Sequence, residues 1–206
     1  MRRVILVFLL SLIVFWVVLV TRGSTPIIDE WTGSLLGTID SSETIYVISR
    51  HITDFGSKPF LIPFTVVMAF VLFILYRNWL PSFLFAGGTL LTHGFNQLIK
   101  VMIQRERPRI WIEASAEGYS FPSGHAMIPL VCYGLLAYFL SQKIKHILFK
   151  RLLYTTFTIL ILTIGLSRYI INVHYMTDVL SGFVFGYILL IGIITLYETI
   201  RKYEKN

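Results

Sequence analysis

Three polar clusters interrupt an otherwise apolar chain of 206 residues. The first is K-V-M-I-Q-R-E-R-P, in which Lys100 and Arg107 lie seven residues apart. Seven residues are about two helical turns, so both cations would share one face if a helix continued as far as Pro108. Such a pair at the end of an apolar helix can bind an anion. The alternative is a pair of cations that reach from a membrane interface into solvent.

The second cluster is F-P-S-G-H, which comes directly before an apolar segment. Ser123 is predicted to be the N-cap of the helix that follows. The free amides of Gly124 and His125 would then face a helix mouth, where the macrodipole favours negative charge. His125 adds a group that titrates near neutral pH. An anion site and a plain capped helix with an incidental histidine both fit this pattern.

The third cluster is S-R-Y-I-I-N-V-H-Y-M-T-D, which ends at Asp178. His174 and Asp178 are four residues apart and would share a face of a helix. A carboxylate that accepts the imidazole Nδ1–H fixes the tautomer and leaves the Nε2 lone pair available. A purely structural His–Asp pair is the alternative. Arg168 adds a third cation at the start of the cluster.

Taken together, the clusters match the chemistry of a phosphate group. Guanidinium groups offer paired hydrogen bonds to phosphoryl oxygens. One histidine can attack phosphorus while the other protonates the departing oxygen. The sequence has no carboxylate cluster typical of a magnesium site, and one His–Asp pair is too few ligands for zinc. We therefore predict phosphoryl transfer without a metal or cofactor, with Lys and Arg stabilising the charge.

The composition indicates what kind of chain must position these residues. It is 55% hydrophobic with a mean hydropathy of +0.73, and only 14% of its residues are charged. Soluble domains have roughly 25% charged residues, so we predict an integral membrane protein with one domain over residues 1–206. The net charge of +7 is not concentrated in one patch, and nucleic acid is not expected as a partner. Cys132, the single cysteine, cannot form an internal disulfide.

Six segments are predicted to span the membrane, each near the length that a bilayer requires. They cover about residues 4–20, 60–76, 80–99, 126–140, 152–166 and 179–197. The segment 22–58 is predicted to contain an amphipathic helix on the membrane surface, with a packing loop as the alternative. The first span could instead be a cleaved signal peptide, but T-R-G-S-T-P after it is a poor cleavage site.

The predicted spans place all three clusters on one side of the membrane, because the cluster loops follow the third and fifth spans. With the N-terminus in the cytoplasm, ten lysines and arginines fall on the cytoplasmic side and eight fall outside. This difference alone is a weak signal of orientation. The short loop with Lys143, Lys145, Lys150 and Arg151 has no acidic residue and gives the stronger signal. It predicts that this loop is cytoplasmic and that the clusters lie outside.

The motifs K-x6-R-P, P-S-G-H and S-R-x5-H-x3-D, in this order, resemble those of the type 2 phosphatidic acid phosphatase (PAP2) superfamily. That superfamily includes membrane lipid phosphatases, soluble acid phosphatases and vanadium haloperoxidases. Every motif position is present: Lys100, Arg107, Pro108, Pro122, Ser123, Gly124, His125, Ser167, Arg168, His174 and Asp178. The resemblance implies an all-α membrane bundle of six spans, of the acid phosphatase–haloperoxidase type.

The resemblance also implies a role for each site residue. His174 would be the nucleophile that forms a phosphohistidine, Asp178 its partner and His125 the general acid. The remaining motif residues would bind the phosphoryl oxygens, namely Lys100, Arg107, Ser123, Gly124 and Arg168.

The implied function is hydrolysis of a lipid phosphate or pyrophosphate head group at the outer face of the bacterial cytoplasmic membrane. Phosphatidylglycerophosphate is the first candidate substrate, and undecaprenyl pyrophosphate is supported almost as well. A lipid phosphotransferase would use the same phosphohistidine and is an alternative function. Intact His125, His174 and Asp178 argue against a non-catalytic lipid-binding protein, and haloperoxidase members are soluble. No obligate protein partner is evident.

Overall fold

The fold is a bundle of helices. In a computed structural model the described residues are 2–39, 43–108 and 118–204, and they contain no strand. The all-α prediction is therefore confirmed for this part of the chain. The helices are α1 (Arg2–Thr21), α2 (Ile27–Ile39), α3 (Glu43–Asp54), α4 (Lys58–Tyr76), α5 (Trp79–Ile103), α6 (Gly124–Lys143), α7 (Ile147–Ile170) and α8 (Met176–Tyr203).

The six predicted spans fall on α1 and α4 to α8. Among the described residues, α4, α6, α7 and α8 are long and apolar enough to cross a membrane. Helix α5 has 25 residues, but it carries polar residues such as His93 and Asn96 and does not reach the hydropathy of a candidate span. The count of six spans stays a prediction for α1 and α5.

Helices α6 and α7 are longer than the predicted spans 126–140 and 152–166. They contain 20 and 24 residues, and their extra turns hold polar residues such as Lys143 and Arg168. The prediction followed only the apolar stretch. The helical hydrogen bonds continue past it, because no breaker residue intervenes and charged side chains can reach the interface.

Helix α6 is the centre of the bundle and packs against α4, α5, α7 and α8. Its large side chains Tyr133, Leu136 and Phe139 are buried in the main core. Helices α4 and α7 instead expose large apolar side chains, among them Phe70 and Leu152, as helices that face lipid do. The P-S-G-H motif lies at the start of this central helix.

Two glycines allow α8 to approach that first turn closely. A Cβ at Gly182 would stand 2.6 Å from the backbone oxygen of Ser123, and one at Gly186 would stand 2.9 Å from that of Met127. Small residues at such a contact let two membrane helices pack backbone to backbone. The start of α6 is thus held directly against α8.

The segment 22–58 contains α2 and α3, with residues 40–42 between them outside the described ranges. Helix α2 packs against α8, and α3 packs against α7. The Tyr169 hydroxyl donates to the carbonyl of Thr32, and the Tyr133 hydroxyl donates to that of Phe55 at 2.7 Å. These contacts attach the segment to the end of the bundle that holds the polar clusters. Its position on a membrane surface stays a prediction.

Candidate active site

A cavity of about 370 Å³ lies where α5 ends, α6 begins, and the chain passes from α7 to α8. Residues from all three polar clusters meet there, so the structure brings the clusters together. Of the eight predicted site residues, six line the cavity: Lys100, Arg107, Gly124, His125, Arg168 and His174. The other two, Ser123 and Asp178, are fully buried behind its wall.

The first cluster reaches the cavity by a different route from the one predicted. Helix α5 ends at Ile103, and Gln104 adopts a left-handed conformation with φ of 53°. Its N–H donates to the Lys100 carbonyl at 2.9 Å. The helix does not continue as far as Pro108, so the condition for a shared helical face of Lys100 and Arg107 is not met. The chain leaves α5 early, and Arg107 enters the cavity from the loop.

Loop carbonyls hold both of these cations in place. The Lys100 Nζ donates to the carbonyl of Tyr119. Arg107 donates from Nε to the carbonyl of Gly118 at 2.9 Å and from Nη1 to that of Val173 at 2.8 Å. Burial lowers the pKa of Arg107 and Asp178 acts against that change, but a guanidinium stays charged at neutral pH. The cavity thus has two cations whose positions are set before an anion arrives.

The P-S-G-H turn begins α6 with Ser123 at the N-cap position. The predicted N-cap position is confirmed, but the Ser123 hydroxyl makes no capping bond and has no hydrogen-bond partner among the described residues. Its backbone N–H instead donates to the Asp178 carbonyl at 3.0 Å, which ties the turn to α8. The amides of Gly124 and His125 belong to the first turn, where a helix supplies no acceptor for N–H groups.

Sequence reasoning missed Asn96, which supports this turn from α5. Asn96 is buried, and its Nδ2 donates to the Pro122 carbonyl at 3.2 Å. A Cβ at Gly124 would stand 3.1 Å from the Asn96 Oδ1. The sequence signal for Asn96 is its position as a polar residue inside an apolar segment.

His125 is half-buried on the cavity wall. A Cβ at Gly56, in the turn between α3 and α4, would stand 3.0 Å from the His125 Cδ2 and 2.5 Å from the Ile164 Cγ2. Only a glycine allows the turn to lie this close to the ring. The segment before α4 therefore forms one wall of the cavity.

The third cluster also has a different local structure from the one predicted. His174 lies in the turn between α7 and α8, and Asp178 lies in the first turn of α8. They do not share a helical face. Their side chains still meet, with the His174 Nδ1 3.4 Å from the Asp178 Oδ2, because the chain enters α8 through the N-cap residue Tyr175. The Tyr175 N–H donates to the same carboxylate oxygen at 2.9 Å.

The surroundings of His174 suit a neutral nucleophile. Burial lowers its pKa to about 3, although the hydrogen bond to Asp178 acts in the opposite direction. The Nε2 lies 3.1 Å from the Arg107 Nη1. This network favours the tautomer with the proton on Nδ1, toward Asp178, and the Nε2 lone pair then points toward the Arg107 guanidinium.

Arg168 approaches the cavity from the last turn of α7. Its side chain is buried, and Nη1 donates to the Thr53 hydroxyl at 3.2 Å. Its Nε has no hydrogen-bond partner among the described residues. A buried donor without a partner is costly, so this nitrogen is well suited to bind an anion.

Arg105 and Ser120 also contact the buried carboxylate, and sequence reasoning missed both. The Ser120 hydroxyl donates to the Asp178 Oδ2. Arg105 lies between two carboxylates, with Nη1 2.6 Å from the Asp178 Oδ1 and Nη2 2.8 Å from the Asp29 Oδ2. Burial alone would lower the pKa of Arg105, but the two carboxylates reverse the effect and raise it. Within the described ranges, no group of three His, Cys, Asp or Glu side chains is arranged to hold a metal ion.

An apolar groove adjoins the polar cavity. It has a volume of about 230 Å³, and it shares Gly56, Lys58, His93 and Ile128 with the polar cavity. The rest of its wall is mainly aliphatic and comes from α4 and α5, including Leu61, Ile62, Val66 and Leu90. The polar cavity therefore opens onto a surface that suits a hydrocarbon chain.

The chain belongs to the PAP2 superfamily, whose family model matches residues 81–202 and so includes all three clusters. Phosphatidylglycerophosphatase B of Bacillus subtilis is 32% identical over 166 residues, which are 77% of this chain and 78% of the relative. Dolichyldiphosphatase of Saccharomyces cerevisiae is 30% identical over 162 residues, which are 71% and 67% of the two chains.

A solved structure has the same fold. It is the crystal structure of a transmembrane PAP2 type phosphatidylglycerolphosphate phosphatase from Bacillus subtilis. It matches with a TM-score of 0.80 and 26% identity, over 93% of this chain and 96% of the other. The family resemblance inferred from the motifs is confirmed, and the chain is a multi-pass membrane protein of the transmembrane PAP2 fold.

Proposed function

We propose that this protein hydrolyses the phosphate head group of a membrane lipid through a phosphohistidine, as a single membrane-embedded domain over residues 1–206. The observation that carries the proposal is the position of His174. Its Nδ1 faces a buried carboxylate, and its Nε2 faces Arg107 at 3.1 Å on the wall of a cationic cavity. Both features suit attack on a bound phosphate.

The proposed reaction has two steps. The His174 Nε2 attacks phosphorus, the bond from phosphorus to the lipid oxygen breaks, and His125 donates a proton to that oxygen. A water molecule, deprotonated by His125, then attacks the phosphohistidine. The N–P bond breaks, inorganic phosphate leaves, and both histidines return to their starting states.

The phosphoryl oxygens would be held by cations and by the first turn of α6. Lys100, Arg107 and Arg168 supply the charge, and the Gly124 amide supplies a backbone donor. The Ser123 hydroxyl, which makes no other hydrogen bond among the described residues, is the further donor in this proposal. Asp178 stabilises the positive imidazole ring that forms when His174 carries the phosphoryl group.

The apolar groove beside the cavity supports a lipid as the substrate. Phosphatidylglycerophosphate is the first candidate, because phosphatidylglycerophosphatase B is a relative at 32% identity. Undecaprenyl pyrophosphate is the second, because the relative at 30% identity is a dolichyldiphosphatase. A phosphotransferase would share the first step, and it would differ by passing the phosphoryl group to an acceptor other than water.

The test is phosphate release by the purified protein in detergent, with phosphatidylglycerophosphate, phosphatidate and undecaprenyl pyrophosphate offered separately. We expect release from at least one lipid in the absence of any acceptor except water. Release only after a second lipid or a sugar is added would identify a phosphotransferase instead. No release with or without an acceptor would contradict the proposal.

We also propose that the site faces outward from the bacterial cytoplasmic membrane, because the basic loop between α6 and α7 lies at the other end of the bundle. Ser24, which precedes α2, and Gln142 are both exposed and lie at opposite ends. In a Cys132→Ala background, Ser24→Cys should react with a membrane-impermeant maleimide in intact cells, whereas Gln142→Cys should react only after lysis. The reversed labelling pattern would place the site in the cytoplasm.

A further inference from the structure

Asp29 belongs to none of the polar clusters, yet it is buried next to the site. It lies in the first turn of α2 and is 6% exposed. Its Oδ1 accepts the Thr177 N–H at 2.9 Å, and its Oδ2 accepts the Thr177 hydroxyl at 2.6 Å and the Arg105 Nη2 at 2.8 Å. Asp29 therefore joins the segment before α4 to the first turn of α8.

Arg105 extends this connection to the carboxylate that faces His174. Its Nη1 donates to the Asp178 Oδ1 at 2.6 Å, and its guanidinium lies 3.9 Å from the centre of the Tyr175 ring. With Oδ1 held by Arg105, only Oδ2 faces His174. Rotation of the carboxylate would break the short contact to Arg105, so Asp29 acts through Arg105 on Oδ1, while the Ser120 hydroxyl and the Tyr175 N–H hold Oδ2.

The charges give Asp29 a second effect. Arg105 paired with Asp178 alone would cancel the negative charge that stabilises a positive His174 ring. With Asp29 present, two carboxylates share one guanidinium, and the buried group as a whole keeps one negative charge. Charge that is buried and fixed in place acts strongly at this short range.

We propose that Asp29 is a positioning residue for phosphoryl transfer: through Arg105 it fixes the orientation of Asp178 and keeps that carboxylate effective toward His174. This proposal rests on the proposed function of the same site. It makes α2 a part of the reaction's machinery, although none of the α2 residues with described side chains lines the cavity.

The test compares Asp29→Asn with Glu30→Gln, in phosphate release from whichever lipid the wild type hydrolyses. Glu30 is the adjacent exposed carboxylate on α2 and undergoes the same chemical change. Asp29→Asn should lower kcat roughly tenfold, the scale of one lost charge-assisted hydrogen bond, with KM within about twofold of wild type. Glu30→Gln should match the wild type. Arg105→Lys should also lower kcat, because it keeps the charge but cannot bridge two carboxylates.

Titration with vanadate counts the intact sites and separates positioning from folding. A positioning role lowers turnover per vanadate-binding site, whereas a purely structural role lowers the number of sites and leaves turnover per site unchanged. Unchanged turnover per site in Asp29→Asn, or failure of both it and Arg105→Lys to fold, would overturn the proposal. An inactive wild type would overturn the proposed function instead, so the two failures are distinguishable.

Discussion

Basic residues gather at both ends of the bundle, but only one end buries them. At the cavity, Lys100 and Arg168 are 8% and 9% exposed. At the opposite end Lys143 is exposed, and its ammonium lies 4.2 Å from the centre of the Tyr76 ring. Arg201 lies there beside Tyr197, partly exposed to solvent.

The difference shows that residue type alone does not make a site. Exposed cations are screened by salt and gain little from a partner. Buried cations held by fixed hydrogen bonds present a prearranged field to an incoming anion, which is what phosphoryl transfer needs. Matched substitutions at the two ends should therefore have very different effects on activity.

The largest effect should come from His174→Ala. We expect loss of at least about 10³-fold in phosphate release, because no other residue replaces the nucleophile. Lys145→Ala, in the exposed loop at the other end, should leave release unchanged. Retention of more than a few per cent of wild-type activity in His174→Ala, with the fold intact by size exclusion, would contradict the phosphohistidine mechanism.

Asp178→Asn should have the next largest effect, a loss of roughly 10² to 10³-fold in kcat, because the amide removes the charge that stabilises a positive His174. The control is Glu198→Gln at the opposite end, where the carboxylate accepts a hydrogen bond from the Tyr138 hydroxyl at 3.1 Å. That variant should stay within about twofold of wild type. Equal losses in the two variants would mean that burial does not distinguish the two ends.

Arg168→Lys should lower kcat/KM by roughly 10 to 10²-fold, because lysine keeps the charge but lacks the Nε donor and the planar fork. The same change at Arg201, where the side chain only stacks beside a ring, should have almost no effect. Steady-state kinetics with the preferred lipid would measure both. Similar kinetics for the two variants would show that point charge alone is needed at the cavity.

The smallest effect should come from metal removal. Excess EDTA should leave activity within about twofold of the untreated enzyme, because the cations of the site supply the charge that a metal supplies elsewhere. Vanadate, an analogue of phosphate, should inhibit the same sample strongly. Loss of activity in EDTA that returns with magnesium would mean that Lys100, Arg107 and Arg168 do not have this role.

The parts of the molecule that could be predicted are those with a local signal. Long apolar runs predicted the helices, and polar residues against that background predicted Lys100, Arg107 and His174. Asn96 gives the same signal, a polar residue in an apolar segment. Helix ends were less predictable. The left-handed residue that ends α5 is Gln104, and no glycine marks this position in the sequence.

Long-range partners had no local signal at all. Asp29 lies 148 residues from Thr177, and nothing in its surroundings on α2 distinguishes it from Glu30. In the sequence Arg105 resembles any other cation of a basic loop, and only the structure shows its contacts with Asp29 and Asp178. Such contacts arise only when the chain is packed, because neither residue has a spacing or pattern that depends on the other.

The contact of Gly182 with the start of α6 affects how this sequence can vary. Gly182 has no functional group, but a methyl group there would force apart the helices that carry His125 and Asp178, because it would stand 2.6 Å from the Ser123 oxygen. A substitution scan scored only by activity would therefore rank Gly182 with His125 and His174. Gly192, on the same helix, has nothing within 4 Å of its Cβ position, so an alanine there would meet no clash. Intolerance to change along α8 thus records how closely each position approaches α6 as well as its chemistry.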